Sequence, residues 1–382
     1  MDLFGIVGAA WTNLWYYVPA FLFIITIIIA VHEYGHFAVA RWCGVGISTF
    51  SIGFGKEIAG FTDKHGTRWR LALMPLGGYV KFIDDDNPTS VPTQAQGQAG
   101  AVDPRSYHGK PVWQRAAIAV AGPIANFILA IVVFGVTYGL VGEQIIPPRV
   151  DGVEAGSVAE KAGFQKGDVV KSIDGGAIDN FRIMQLIVAS SCGRTIQFQV
   201  DRGGQLVDLV AAPNQVETPD EMGGTLRYGR LGIIHNGNEQ EVVQKVYGPI
   251  GAVLRGTQQT QYVISASLRG IWDILRGCQK LDQLAGPTKL VEVSGRVASY
   301  GFDQLLQFLA VVSVGIGLFN LFPIPMLDGG HLAMYAIEAV RGRPLSERTQ
   351  EMAFRVGFSL VLMLLILTIG NHLREKLTFY LG

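Results

Sequence analysis

Four apolar runs organise the hydropathy pattern of this chain. The first contains Phe21-Leu22-Phe23-Ile24-Ile25-Thr26-Ile27-Ile28-Ile29-Ala30 and extends over residues 16–42. At 1.5 Å per residue it is long enough to cross roughly 30 Å of hydrocarbon. Tyr16, Tyr17 and Trp42 suit its two interfaces. A second run covers 116–140, a third begins near Phe302 and reaches Phe322, and a fourth covers 356–369. From Gly44 to Asp86 the period changes to two. Phe50, Ile52 and Phe54 alternate with Thr49, Ser51 and Gly53, and Trp69, Leu71 and Leu73 repeat the pattern. This predicts strands with turns at Gly53-x-Gly55 and Gly77-Gly78. They form either a surface hairpin or a β-loop that offers an edge to an extended peptide. Residues 84–101, opening on Asp84-Asp85-Asp86, predict a solvated loop.

Residues 145–235 read as a soluble insert. The segment around Val150-Asp151-Gly152-Val153 predicts a strand, and Ser157 to Phe164 a short helix. Gly167 to Gly175 predicts a strand and turn, Phe181 to Ala189 a helix, and Thr195–Val200 with Gln205–Val210 a hairpin. Between Glu241 and Leu284 apolar residues return at helical spacing, as at Leu268, Ile271, Trp272 and Leu275. Arg269, Arg276 and Lys280 interrupt them, which predicts amphipathic helices on the membrane surface rather than a fifth span. The expected architecture is a mainly α-helical polytopic membrane protein. It has four transmembrane helices, a membrane-associated β-loop and one inserted α+β domain. The divisions fall at 1–144, 145–235, 236–301 and 302–382.

Composition agrees with that picture: 49% of the 382 residues are hydrophobic and only 16% are charged, against about 25% charged in soluble domains. Equal numbers of basic and acidic residues, 31 each, give no reason to expect a nucleic-acid partner. Cys43, Cys192 and Cys278 are too widely spaced for a metal motif, and no obligatory disulfide is expected. The start of the chain has no basic stretch, so the first run is expected to be a retained span rather than a cleaved leader. Arg41, Lys56, Arg68, Arg70, Lys81 and the basic residues of 341–355 fall on one side, which places that side in the cytoplasm. The insert and both chain ends then face the periplasm. The first and third spans run parallel, and their late residues lie at one depth.

The chemistry concentrates at those late residues. His32-Glu33-x-x-His36 closes the first run. On a helix, positions i and i+4 share a face, so His32 and His36 can hold one metal ion, with Glu33 beside them to act on water. Ionisable groups inside an apolar span are costly and mark function. A third ligand must come from elsewhere. The third run breaks at Asn320-Leu321-Phe322-Pro323-Ile324-Pro325-Met326-Leu327-Asp328-Gly329-Gly330, where irregular backbone is tolerated only if it lines a cavity. Asp328 is the expected ligand. Alone it would read as the N-cap of a helix over 331–340, and His331 is a weaker competitor. In the second run, Gly122-Pro123 kinks the helix, and Asn126 is either packing glue or part of the site.

Together these motifs resemble the site-2 proteases, in particular the sigma-E-regulating proteases of Gram-negative bacteria. The resemblance covers nearly the whole chain: His32-Glu33-x-x-His36, Gly122-Pro123-x-x-Asn126-Phe127, and Asn320-x-x-Pro323-x-Pro325-x-Leu327-Asp328-Gly329. The insert resembles a permuted bacterial PDZ domain through Ser157-x-Ala159-x-x-Ala162-Gly163, Gly167-Asp168 and Ile173-Asp174-Gly175. Leu231-Gly232-Ile233 is weakly similar to the loop that takes a peptide carboxylate. The resemblance implies a Zn²⁺ metalloendopeptidase of the bacterial inner membrane. It would cut transmembrane segments, such as that of an anti-sigma factor or a remnant signal peptide, nearer the cytoplasmic side. Zn²⁺ would sit on His32, His36 and Asp328, Glu33 would be the catalytic acid–base, Asn320 would hold either the substrate backbone or the oxyanion, and Asn126 would also touch substrate. The PDZ-like domain would take a peptide ligand. One departure stands out: the best-known members carry two tandem PDZ domains, and this chain has room for one. Two other classes compete. A membrane metal transporter would leave Glu33 and the insert without a task, and a PDZ scaffold would leave the metal cluster without one.

Overall fold

The structure is a computed structural model that describes residues 3–83, 103–191, 193–219, 225–236, 242–278 and 286–381. The solvated loop expected at 84–101 and Cys192 lie outside these residues. Helix α1 spans Leu3–Trp42, of which Tyr17–Trp42 is apolar and long enough to cross a membrane. It begins well before the expected span because residues 3–16 continue the helix. Strands β1 (Ile47–Thr62) and β2 (Arg68–Phe82) follow as an antiparallel hairpin. The pair doubles back on itself: residues 49–52 pair with 68–71 on one side and with 78–81 on the other, while 57–62 pair with 68–72. The chain therefore reverses at Gly53-x-Gly55, both glycines at positive φ, and again just before Gly78, as the glycines predict. A third reversal, between β1 and β2, was not predicted: Asp63 makes it, its Oδ1 accepting the backbone N–H groups of His65 and Thr67. Gly78 lies within β2, paired with Ile52.

Helix α2 (Val112–Leu140) is continuous through Pro123. Ile124, Ile128, Val132 and Val136 form a stripe at four-residue spacing on it, and all are exposed, as a lipid-facing surface requires. Ile118, Gly122 and Asn126 lie half a turn away and are buried.

The chain then enters the insert by β3 (Glu143–Ile145) and β4 (Gly152–Val153). Helix α3 (Val158–Lys161) is capped by Ser157, whose Oγ accepts the Glu160 N–H at 3.2 Å. Strand β5 (Val169–Ile173), strand β6 (Gly176–Ala177), helix α4 (Phe181–Ala189), strand β7 (Ile196–Arg202) and strand β8 (Gln205–Ala211) follow. The four strands form an antiparallel sheet in the order β6-β5-β7-β8. Alternate residues of β7 (Ile196, Phe198 and Val200) point into a core shared with Val150, Phe164 and Met184. A second hairpin, β9 (Asn214–Pro219) with β10 (Thr225–Arg230), was not anticipated. Strand β11 (Ile233–Ile234) returns to pair with β4, and β12 (Val243–Lys245) pairs with β3, so the strands leading in and out are zipped together.

Helix α5 (Pro249–Leu275) is amphipathic and is not among the membrane-crossing candidates. Helix α6 (Pro287–Tyr300) packs on α1, with Gly295 against the Tyr17 ring. Helix α7 (Phe302–Asn320) meets α1 through Leu305 and Leu309 against Ala20, Ile24 and Ile28. Helix α8 (Asp328–Arg341) follows the break, and α9 (Glu347–Leu381) ends the chain. Among the described residues four helices, within α1, α2, α7 and α9, are long and apolar enough to cross a membrane. The protein is therefore a multi-pass, mainly helical membrane protein with a minority of strand. The chain divides into two compact units. One comprises 1–135, 253–264 and 286–369, and holds the cluster described next. The other comprises 136–252, 265–285 and 370–382.

Candidate metal centre

The first compact unit brings together residues from three distant stretches of sequence. His32 and His36 project one helical turn apart from α1, and their Nε2 atoms are 3.2 Å apart. Asp328 opens α8. Leu327 occupies the cap position, and the Asp328 carboxylate turns to the histidines instead. Its Oδ2 lies 3.1 Å from His32 Nε2, and its Oδ1 lies 3.5 Å from His36 Nε2. Buried Oδ2 has no hydrogen-bond donor.

Those separations test whether a metal fits. Donors at the corners of a tetrahedron, with bonds of about 2.1 Å, stand about 3.4 Å from one another. The two imidazole nitrogens, 3.2 Å apart, stand close to that edge, and each has one oxygen of the Asp328 carboxylate within 3.5 Å. The donor set, two imidazoles and a carboxylate, is one that binds zinc with a position left for water. His36 Nδ1 lies 2.8 Å from the Ile118 carbonyl and donates to it, which leaves the Nε2 lone pair facing the cluster. A Cβ at Gly122 would run into His36 Nε2 and stand 2.8 Å from His32 Cε1, so only glycine leaves the two rings their room.

Glu33 sits beside this cluster, half-buried, and lines a cleft with His36, Asp328, His331, Tyr107 and Tyr335. Strand β2 comes down on it: a Cβ at Gly78 would meet the Ser51 carbonyl at 2.9 Å and Glu33 Cγ at 3.0 Å. The hairpin is held there at its turn. Arg41, in the last turn of α1, donates to Asp63 Oδ2 at 2.8 Å, and Trp69 Nε1 donates to the same atom at 3.2 Å. Burial opposes the charge on Asp63, yet the hydrogen bonds from Arg41, Thr67, Trp69 and His65 outweigh it and hold the carboxyl well below the usual carboxylate range.

The wall opposite holds a pair of phenols, with Tyr107 and Tyr335 hydroxyls 2.7 Å apart. Burial pushes both up, so they stay neutral hydrogen-bonding groups at physiological pH. Arg115 pairs with Glu338 and stacks over the Tyr335 ring at 4.9 Å. Sequence reasoning missed this wall because tyrosines and an ion pair in polar segments carry no spacing signal. Asn320 ends α7, half-buried, and contributes neither to the donor cluster nor to the cleft lining. Asn126 is fully buried with its amide nitrogen 3.2 Å from His32 Nδ1. His331 lines the cleft but is not part of the cluster of donor atoms.

Residues 20–364 match the model of peptidase family M50. The chain belongs to that family. This makes it a metalloprotease of the site-2 type. Similar curated proteins agree over nearly full length. A Brucella suis protein with a provisional zinc metalloprotease name is 43% identical over 355 residues, covering 92% of this chain and 94% of that one. A similarly named protein of Rhizobium meliloti is 41% identical, covering 94% of this chain and 97% of its own. The metalloprotease MmpA of Caulobacter vibrioides is 38% identical, covering 93% and 94%.

Proposed function

We propose that this zinc metalloprotease cuts the transmembrane segments of single-span membrane proteins, using His32, His36 and Asp328 as the metal ligands and Glu33 as the acid–base group. The observation that carries this reading is the convergence of three metal-donor side chains, from α1 and the start of α8, beside Glu33 in a helical membrane unit. Zinc held there supplies Lewis acidity to a peptide carbonyl and to water. Glu33 takes the proton that water loses on attack and delivers it to the leaving amine nitrogen. The apolar span around it excludes bulk water, which strengthens each charge interaction.

Hydrolysis within a bilayer needs an unwound substrate, because a helix hides its carbonyls in its own hydrogen bonds. The hairpin fits that need: among the described residues β1 and β2 pair only with each other, and the limbs 57–62 and 78–82 are the outer edges on which an extended segment can lie. The insert reads as a single PDZ-like domain. Between α4 and the segment 228–235 it carries a groove lined by Phe181, Met184, Val188, Tyr228, Leu231 and Ile233, sized for an extended peptide. The family resemblance implies the bacterial inner membrane, and the charge rule then makes the insert periplasmic and puts the metal site nearer the cytoplasm. Substrates of this description include an anti-sigma factor already trimmed outside and remnant signal peptides.

The test is co-expression of the protein, or its Glu33→Gln variant, with candidate single-span proteins. New fragments should arise with the unaltered protein alone, and purified Glu33→Gln should keep its zinc. Cleavage retained by purified Glu33→Gln would overturn the role of Glu33.

A further inference from the structure

One buried side chain next to the metal cluster has no part in the mechanism above. Asn126 is 0% exposed, and its Oδ1 is buried without a hydrogen-bond partner while its Nδ2 faces His32 Nδ1 at 3.2 Å. Neutral imidazole carries one proton, and a ring that ligates through Nε2 must carry it on Nδ1. His32 as a ligand therefore has a proton on Nδ1 that needs an acceptor. The nitrogen of an amide is not one. A half-turn of the Asn126 amide exchanges its two ends and brings Oδ1 to that proton.

We propose that Asn126 is a positioning residue for the metal site: its side-chain oxygen accepts from His32 Nδ1–H, fixes the ring's tautomer and aims Nε2 at the ion. This rests on the zinc site proposed above and gives Asn126 a task other than touching substrate. A fully buried side chain outside the lining of the cleft suits that task better.

The surrounding helix supports the assignment. Ile118, Gly122 and Asn126 are spaced by four along α2 and so share one face. Ile118 offers its carbonyl to His36 Nδ1 at 2.8 Å, Gly122 makes room for both rings, and Asn126 meets His32. Each ligating histidine thus has its own acceptor, one from backbone and one from a side chain. Asn126 is itself held, since its carbonyl accepts from Ser313 Oγ of α7 at 2.9 Å. Pairing of a ligating histidine with an acceptor on its far nitrogen typically changes metal affinity by about 10–100-fold.

The experiment uses the full-length protein in detergent, stripped of metal and titrated with Zn²⁺ against a chromophoric chelator. Asn126→Leu, similar in volume but with no acceptor, should bind zinc about 10–100-fold more weakly. Asn126→Asp, an acceptor only, should bind at least as tightly as the unaltered protein. Its cobalt-loaded visible spectrum should match the unaltered protein's. Unchanged affinity in Asn126→Leu overturns the proposal, and so does weak binding in Asn126→Asp. If the leucine variant does not fold, the aspartate arm decides alone, because a merely structural amide would not be replaced by a carboxylate with affinity and spectrum kept. His32→Ala separates the two levels: unchanged zinc affinity there would sink the metal site itself, whatever Asn126 does.

Discussion

Gly78 of the hairpin and Glu33 of α1 approach so closely that one added methyl would stand 3.0 Å from the Glu33 side chain and 2.9 Å from the Ser51 carbonyl. The second obstacle is backbone, which cannot swing aside. Gly78→Ala should therefore shift β2 or displace Glu33, and lower cleavage at least about tenfold while zinc content is unchanged. Gly77→Ala is the control. The three atoms nearest its methyl all belong to the side-chain ring of exposed Phe54, which can rotate away, so activity should fall much less. Equal activity of the two variants in a purified cleavage assay would refute this placement of the strand.

Asp328 completes the donor set, so Asp328→Ala should leave two protein ligands and a weak site. Zinc retained at full stoichiometry by elemental analysis after dialysis against dilute chelator would show that another residue completes it.

Acid should loosen the insert through Asp168. Its side chain is fully buried and accepts from Arg202 Nε at 2.8 Å, Arg202 Nη2 at 2.9 Å and the Gln165 N–H at 2.8 Å. Burial alone would raise its carboxyl; the Arg202 and Gln165 hydrogen bonds reverse that and hold it below the ordinary carboxylate range. A carboxyl lowered on folding stabilises the fold above its unfolded value, about 3.9, and that contribution is lost as pH falls through the lower folded value. Limited proteolysis of the full chain should show the insert more easily cut below about pH 4. Asp168→Asn should show increased cutting already at neutral pH, with a loss of roughly 2 kcal/mol. No change in protease sensitivity at neutral pH would argue that the pair contributes nothing net.

Topology can be read by cysteine labelling in a cysteine-free background. Gln165 in the insert should label from the periplasm, and Lys64 at the hairpin turn and Arg343 after α8 only from the cytoplasm. Labelling of Gln165 and Arg343 from one side would make the first and third spans antiparallel and forbid the proposed site.

Much of this was legible in the sequence, and the exceptions have physical causes. Spans were legible because hydrocarbon demands long apolar runs, and α4 fell at Phe181–Ala189 as its pattern predicts. His32, His36 and Asp328 stood out because charge at membrane depth is rare. The reversals at Gly53-x-Gly55 and before Gly78 were legible because glycine marks turns. The reversal between β1 and β2 was not, because it depends on the side chain of Asp63 holding backbone N–H groups, and nothing in the spacing shows that Gly78 also serves close approach to α1. Ile118 could not be found at all: its contribution is a backbone carbonyl, which every residue type carries.

The pairing of β3 with β12 and of β4 with β11 has a bearing on how such chains diversify. Two ends that leave the membrane portion side by side form a socket. A module can be exchanged, duplicated or lost beyond that socket without changing the geometry at its base. A foreign domain with adjacent termini could be grafted at the same joint with no redesign of the rest of the chain.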